Sequence, residues 1–327
     1  MEKVIVHGCG GAGISIVARY IEKMKDDELL NVETRYLDTS RADISRFENL
    51  DSKDIHIITS KKLGTIIDGS GGRRDTNSAE ISENINEYIN KVKYEHGEVH
   101  IVVSSASGAS GSVLSSLLIM GLRKMNVPVV FIAITDTTSV KYAEHSLNTL
   151  KYVELAGKKY GYKIPTILIE NNGNRDNIDR RVSLQIESIS IMNSGKIKSL
   201  DTMDTKLFLE SGYDDSADGG IYTLSILSGG MDAIKNEYIN TLRILSTDAA
   251  LIPDAKVGQY KVCVIDMEMV DKLASMSLST PLYFAITNTI NIDKIIKIKE
   301  ELEIKKSSIE KKKSFLDDED EIDGLLI

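Results

Sequence analysis

One segment constrains this chain more than any other: Val99-His100-Ile101-Val102-Val103, then Ser104-Ser105-Ala106-Ser107-Gly108-Ala109-Ser110-Gly111-Ser112, then Val113-Leu114-Ser115-Ser116-Leu117-Leu118-Ile119-Met120. A β-branched apolar run reads as a buried strand, the small residues as a loop, and the last run as a helix. Without a bulky side chain, the loop backbone can approach a ligand closely. The N–H groups opening the helix then face an anion, and the hydroxyls of Ser107, Ser110 and Ser112 add donors. Taken alone, the segment suits an ordinary strand-to-helix turn equally well.

The surrounding pattern supplies context. Apolar periodicity predicts strands at Val4–Val6, Thr34–Leu37, Ile55–Thr59, Val99–Val103, Val129–Ile134 and Thr166–Ile169. It predicts helices at Ile14–Met24, Ile81–Lys93, Val113–Lys124 and Tyr142–Gly157, with a further helix after the Asn171-Asn172-Gly173-Asn174 turn that runs to about Met192. Strands alternating with helices imply a parallel sheet covered on both faces, with ligands at the carboxyl ends of the strands. A loose acidic stretch near 213–220 marks a boundary. Beyond it a smaller α/β unit is expected over 221–290, with strands at Lys261–Ile265 and Leu282–Ile286.

The end of the chain differs in kind. Ile292, Ile295, Lys299, Leu302, Lys306 and Ile309 recur in steps of three and four, which predicts a long helix. Lys311-Lys312-Lys313 closes it, and six acids follow within Asp317–Asp323. That acidic run suits either a solvated tail or a peptide that docks on a basic patch of another subunit.

Bulk composition excludes several classes. The 327 residues are 42% hydrophobic and 27% charged, a globular balance with no apolar run long enough to span a membrane. Lys3 leads directly into Val4-Ile5-Val6, so no signal peptide is expected. Two distant cysteines, Cys9 and Cys263, fit a reduced cytoplasmic compartment and form no metal-ligand spacing. A net charge of -9 argues against nucleic acid as a direct partner. No residue is singled out as a metal ligand.

The first strand runs into Gly8-Cys9-Gly10-Gly11-Ala12-Gly13. Gly8-x-Gly10-x-x-Gly13, with Asp38 25 residues beyond Gly13, satisfies a dinucleotide fingerprint. On that motif alone a nicotinamide oxidoreductase leads. Two phosphate-contacting turns on one sheet suit a triphosphate better.

Together these motifs resemble the tubulin/FtsZ superfamily of filament-forming GTPases over roughly residues 1–309. Gly8–Gly13 looks like its first nucleotide loop, and Leu37-Asp38-Thr39-Ser40 like the Asn-Thr-Asp turn of the FtsZ branch. Asp68-Gly69-Ser70-Gly71-Gly72-Arg73-Arg74 resembles the loop that senses the terminal phosphate. Ser107–Ser112 stands where the family has a Gly-Gly-Gly-Thr-Gly signature, with Ser107 and Ala109 replacing glycines and Val113 replacing the next one. Ser199-Leu200-Asp201-Thr202-Met203-Asp204 resembles the catalytic Asn-x-Asp-x-x-Asp loop, with Ser199 replacing Asn.

The resemblance implies an α/β fold with these parts: a Rossmann-like GTPase domain (1–175), a long linking helix (176–198), a catalytic loop and smaller second domain (199–290), a C-terminal helix (291–314) and an acidic tail (315–327). It implies GTP or GDP, with Mg²⁺, held by Gly10, Gly11, Ala12, Ser15, Asp38, Gly69, Ser70, Ser107, Gly108, Ala109, Ser110, Gly111 and Ser112, with Asn171 or Asn172 supplying an amide to the base. Asp136 and Glu144 are candidates for the ribose. Asp179 is the implied guanine reader, since one carboxylate accepts from both the ring N–H and the exocyclic amine. Asp179 also suits an ion-paired helix face beside Arg180 and Arg181, and Asp201 suits a helix cap.

Asp201 and Asp204 are implied to act on the nucleotide of a neighbouring subunit, the chain assembling head to tail with itself, without membrane or direct nucleic acid. The C-terminal helix and acidic tail look most like the phage tubulins. They imply a filament that positions phage DNA or particles in a bacterial host cytoplasm, with Asp317–Asp323 bound to the next subunit. A division or plasmid-segregation GTPase is the alternative within the family. A scaffold that has lost turnover is another.

Overall fold

A computed structural model describes residues 2–24, 30–58, 78–92, 94–198, 200–210, 218–228, 241–246, 259–262, 264–265, 267–275, 282–287, 295–304 and 307. The first half alternates β1 (Val4–Cys9), α1 (Gly10–Lys23), β2 (Val32–Asp38), β3 (Ile55–Ile57), α2 (Ser78–Lys91), β4 (Val99–Ser105), α3 (Ser110–Lys124), β5 (Val129–Asp136), α4 (Val140–Tyr160) and β6 (Lys163–Asn171). Next come α5 (Arg175–Met192), β7 (Ile197–Lys198), α6 (Thr202–Glu210), β8 (Gly220–Ser228), β9 (Thr241–Ser246), β10 (Gln259–Val262) and β11 (Val264–Ile265). Then follow α7 (Met267–Ser275), β12 (Leu282–Thr287) and α8 (295–304).

One ten-stranded sheet runs in the order β10-β9-β12-β8-β6-β5-β4-β1-β2-β3. Strands β1 to β6 and β8 are mutually parallel, and β12 alone runs antiparallel to its neighbours β8 and β9. The β6–β8 pairing carries the second half of the chain onto the sheet of the first. Apolar side chains of α1 and α5 pack on one face, and those of α2, α3 and α4 on the other, where Ile295 of α8 joins them. Burial on both faces is why β4 and β5 read as continuous apolar runs rather than alternating ones.

The order β3-β2-β1-β4-β5-β6 reverses direction between β1 and β4. At such a switch point the loops leave to opposite faces and open a crevice at the carboxyl ends of the strands. Cys9 is in register with Ser104, so the β1–α1 and β4–α3 turns start at the same level.

A polar network lies inside the β1–β4 half, under α2. His7 Nε2 and His100 Nδ1 are 2.9 Å apart, and Tyr88 Oη is 3.2 Å from His7 Nδ1. Burial pushes the His7 and His100 pKa values down, and the neighbouring Arg35 charge adds to the effect in both. Burial opposes the charge on Glu98 as well. Hydrogen bonds from His100, the Glu95 N–H and Lys3 outweigh it and hold that carboxyl at about 2.

Candidate functional site

The β1–α1 and β4–α3 turns meet in a cleft. Cys9, Gly10, Gly11, Ala12, Asp38, Ser40, Asp43, Ser105, Gly108, Ala109, Ser110 and Gly111 line a cleft of about 430 Å³. Gly10 has φ +69°, and a Cβ there would lie 2.6 Å from Gly111 Cα. A Cβ on Gly111 would lie 2.7 Å from the Cys9 carbonyl oxygen. The two turns therefore touch backbone to backbone, which only glycine permits at Gly10 and Gly111. Ala109 has φ −81° and ψ −64°, so its methyl group carries no left-handed strain where the family has glycine.

Two helices begin at this cleft, and neither has a side-chain cap: Cys9 precedes α1 and Ala109 precedes α3 without a capping hydrogen bond. Elsewhere Ser139 caps α4 by accepting from Tyr142 N–H, and Asn174 caps α5 by accepting from Asn177 N–H. The first N–H groups of a helix need an acceptor, and the positive end of its dipole favours an anion. Two uncapped helix starts converging on one cleft suit a chain of phosphates.

Neighbours brace the turns. Thr39 Oγ1 donates to Ser110 Oγ at 3.0 Å, tying the end of β2 to the start of α3. From α4, His145 Nδ1 donates to the Ser107 carbonyl at 3.2 Å and Thr149 Oγ1 to the Ala106 carbonyl at 2.7 Å. Asp38 is buried, with Oδ1 accepting from Thr39 N–H at 2.7 Å. Ser112 stands behind the cleft wall, buried, with its hydroxyl donating to the Ala109 carbonyl. Ser107 Oγ pairs with Ser105 Oγ. Glu144 is exposed on α4, one residue before His145. Gly69 and Ser70 lie outside the described residues, as do Ser199 and the acidic segment Asp317–Asp323.

Helices α1 and α5 are joined by two rungs one turn apart. Arg175 Nη2 donates to Ser15 Oγ at 2.5 Å, and Arg19 Nε lies 2.6 Å from Asp179 Oδ2. Asp179 is thus buried and paired across helices, not on a solvated face, while its Oδ1 is buried with no hydrogen-bond partner. Asn171 Nδ2 donates to Asp136 Oδ2 at 2.9 Å, and Asn171 Oδ1 accepts from Gly173 N–H. Thr138 supplies its N–H and hydroxyl to Asp136 Oδ1, so Asp136 is held within its own loop.

Asp201 and Asp204 are brought together, far from the cleft. Asp204 N–H donates to Asp201 Oδ1 at 2.8 Å, and Asp201 N–H to Asp204 Oδ2 at 3.3 Å, a reciprocal capping box at the start of α6. Thr202, Met203 and Lys206 line a small cavity with Gly97, Val99 and Pro128, at the amino ends of β4 and β5. Arg123, at the far end of α3, holds Glu210 of α6 at 2.6 Å. The seven residues of β4 separate this helix from the cleft, about 20 Å at ~3.3 Å per residue.

Sequence reasoning missed Asp43 and His145. Asp43 belongs to no motif, although an acid five residues past the end of a cleft strand was available as a signal. His145 had none, because its place depends on how α4 packs.

Sheet order, switch-point cleft and converging helix starts define a nucleotide-binding α/β protein of the doubly wound type. Residues 3–161 match the family model "Tubulin/FtsZ family, GTPase domain". Among solved structures, the protofilament of TubZ from Bacteriophage PhiKZ superposes with TM-score 0.79 and 20% identity, covering 94% of this chain and 91% of the other. The phage tubulin PhuZ bound to GDP gives 0.75 and 18%, covering 93% and 92%. The GTPγS-bound protofilament of CetZ2 from Haloferax volcanii gives 0.63 and 16%, covering 94% and 100%. At these identities the likeness is one of fold. No curated protein sequence matches the chain.

Proposed function

We propose that this chain is a filament-forming GTPase that binds GTP in the switch-point cleft and hydrolyses it when α6 of a second copy closes over that cleft. One observation carries the reading: the anion cradle and the paired carboxylates Asp201 and Asp204 occupy opposite ends of one sheet, so a single chain cannot bring them to the same phosphate. Copies stacked head to tail put the carboxylate end of one on the cradle of the next, a heterologous contact that propagates. The TubZ and CetZ2 structures of similar fold are protofilaments, which supports assembly of copies into a filament.

In this proposal the N–H groups opening α1 and α3 bind the phosphates, and Gly10 and Gly111 allow the backbone to reach them. Asp179 reads guanine through its unpartnered Oδ1. Asp201 and Asp204 of the neighbour orient a water whose oxygen bonds to the γ-phosphorus as the bond to the β–γ bridging oxygen breaks, giving GDP and phosphate. Orientation and charge placement are the main work in such a transfer.

Among the described residues, no cluster of three or more His, Cys, Asp or Glu would hold a metal by itself. Oxygen donors of the cleft, Asp38, Ser40 and Ser110, suit Mg²⁺, which takes few protein ligands and otherwise phosphate and water. When bound, Mg²⁺ supplies charge neutralisation on the phosphates. The role that fits the fold of the phage neighbours is positioning of phage DNA or particles, with the acidic tail docking on the next subunit.

The test is right-angle light scattering with parallel phosphate release on adding GTP and Mg²⁺. Scattering that rises and then decays as phosphate appears supports the proposal; silence in both across a concentration series contradicts it. The position of Asp38 at the end of β2 keeps a dinucleotide reading in view. Quenching or enhancement of NADH fluorescence by the protein would favour that reading.

A further inference from the structure

Helix α4 holds two consecutive carbonyls of the small-residue loop. Thr149 Oγ1 donates to the Ala106 carbonyl at 2.7 Å, and one turn earlier His145 Nδ1 meets the Ser107 carbonyl at 3.2 Å. A carbonyl oxygen only accepts, so His145 carries a proton on Nδ1. The Ala106 N–H is taken by the Ile134 carbonyl, which extends the β4–β5 ladder, and Ser107 is buried. The loop is therefore fixed from behind as far as the peptide that joins Ser107 to Gly108. His145 and Thr149 stand outside the cleft lining, whereas Gly108 is part of it. The Gly108 N–H donates to no group among the described residues.

Resting on the guanine-nucleotide reading of the cleft, we infer that His145 is a positioning residue for phosphate binding. Its hold on the Ser107 carbonyl turns the Gly108 N–H into the cleft, where that N–H donates to the nucleotide. A trans peptide is planar, and its C=O and N–H point in opposite directions. A Ser107 carbonyl drawn toward α4 therefore leaves the N–H of the same peptide on the cleft side. The opposite rotation puts a carbonyl oxygen in front of the phosphates, an acceptor against an anion. Glycine admits both rotations, so the hydrogen bond from His145 selects between them. With the N–H groups that open α3, the Gly108 N–H completes a concave run of donors. His145 acts on the phosphates only through this peptide.

The experiment is calorimetric binding of GDP in MgCl₂ to the full-length wild type, His145→Ala, His145→Gln and His145→Asn. An Asn amide nitrogen stands near the place of imidazole Nδ1 and a Gln amide nitrogen near that of Nε2, so only Asn restores the donor. His145→Ala and His145→Gln are expected to weaken GDP about tenfold, equal to about 1.4 kcal/mol, and His145→Asn less than about threefold. A second readout is the Gly108 amide signal in the nuclear magnetic resonance spectrum of glycine-labelled protein. Its loss in Gly108→Ala identifies it, the added Cβ meeting Ser105 Cβ at an ordinary 3.6 Å. That signal is expected to shift at saturating GDP in wild type and His145→Asn, and not in His145→Ala. Equal affinity in all four proteins, an equal loss in all three variants, or a wild-type Gly108 signal that ignores GDP overturns this role of His145 while leaving the nucleotide site standing. Absence of GDP binding to the wild type contradicts the functional reading itself, and the role of His145 falls with it.

Discussion

At the carboxyl ends of the strands, α1 and α3 begin with no side chain on their first N–H groups; at the amino ends, α6 begins with Asp201 and Asp204 each accepting from the other's N–H. The same backbone groups are thus left open at one pole and satisfied by the chain's own carboxylates at the other. An open helix start invites an external anion. A capped one fixes two carboxylates in a set geometry and presents their remaining charge outward. Under the proposed function neither pole completes the chemistry alone, and their separation along the sheet would tie turnover to assembly.

The largest expected effect comes from closing the open pole. Gly10→Ala adds a methyl group at φ +69°, against the Gly111 backbone, and should cost about 2 kcal/mol or more of stability together with loss of GDP binding. Thermal melts and calorimetry read both. Ala109→Asp puts a carboxylate at the start of α3 and should weaken GDP binding by about 30-fold or more through like-charge repulsion, while far-ultraviolet circular dichroism stays native.

At the capped pole, Asp201→Asn and Asp204→Asn keep an acceptor for the cap and remove the charge. Turnover in the filament should fall by about 100-fold or more with GDP affinity unchanged, as measured by phosphate release and calorimetry. Loss of affinity and turnover together would place these residues in the fold, not the chemistry.

A smaller effect separates the poles from the interior. His7 and His100 are held neutral by burial, so below about pH 6.5 the unfolded chain binds protons that the folded chain does not, and stability falls as pH drops. Glu187, pushed up to about 7 by burial, binds a proton in the folded state and offsets part of this. The melting temperature should fall by several degrees between about pH 7.5 and 5.5, more steeply in Glu187→Gln. The smallest effect is Asn174→Ala, which uncaps α5 for about 1 kcal/mol without changing nucleotide selectivity.

Much of this was legible in the sequence, and the gaps have physical causes. The strand at 99–103 fell where periodicity placed it. Helices α1 and α3 begin earlier than the apolar pattern, at Gly10 and Ser110 against expected starts at Ile14 and Val113. Their first turns face the cleft and so carry no hydrophobic signal. Strands β5 and β6 likewise run on into polar residues, to Asp136 and Asn171. Strands β8 and β9 were not anticipated, and the β6–β8 pairing that makes one sheet of both halves joins residues too far apart for local pattern to show. Asp43 reaches Gly11 by the course of a loop, and Asp179 meets Arg19 by helix packing; tertiary structure alone decides both.

The central claim, that cradle and carboxylates act across two copies, is tested most directly by mixing Ala109→Asp with Asp204→Asn and following phosphate release. Each variant alone should be nearly inactive, one lacking a working cradle and the other a working carboxylate pair. The mixture should regain activity, because a sound cradle then meets a sound α6 at some junctions. A mixture as inactive as its two parts, with scattering showing that the chains co-assemble, would contradict the account.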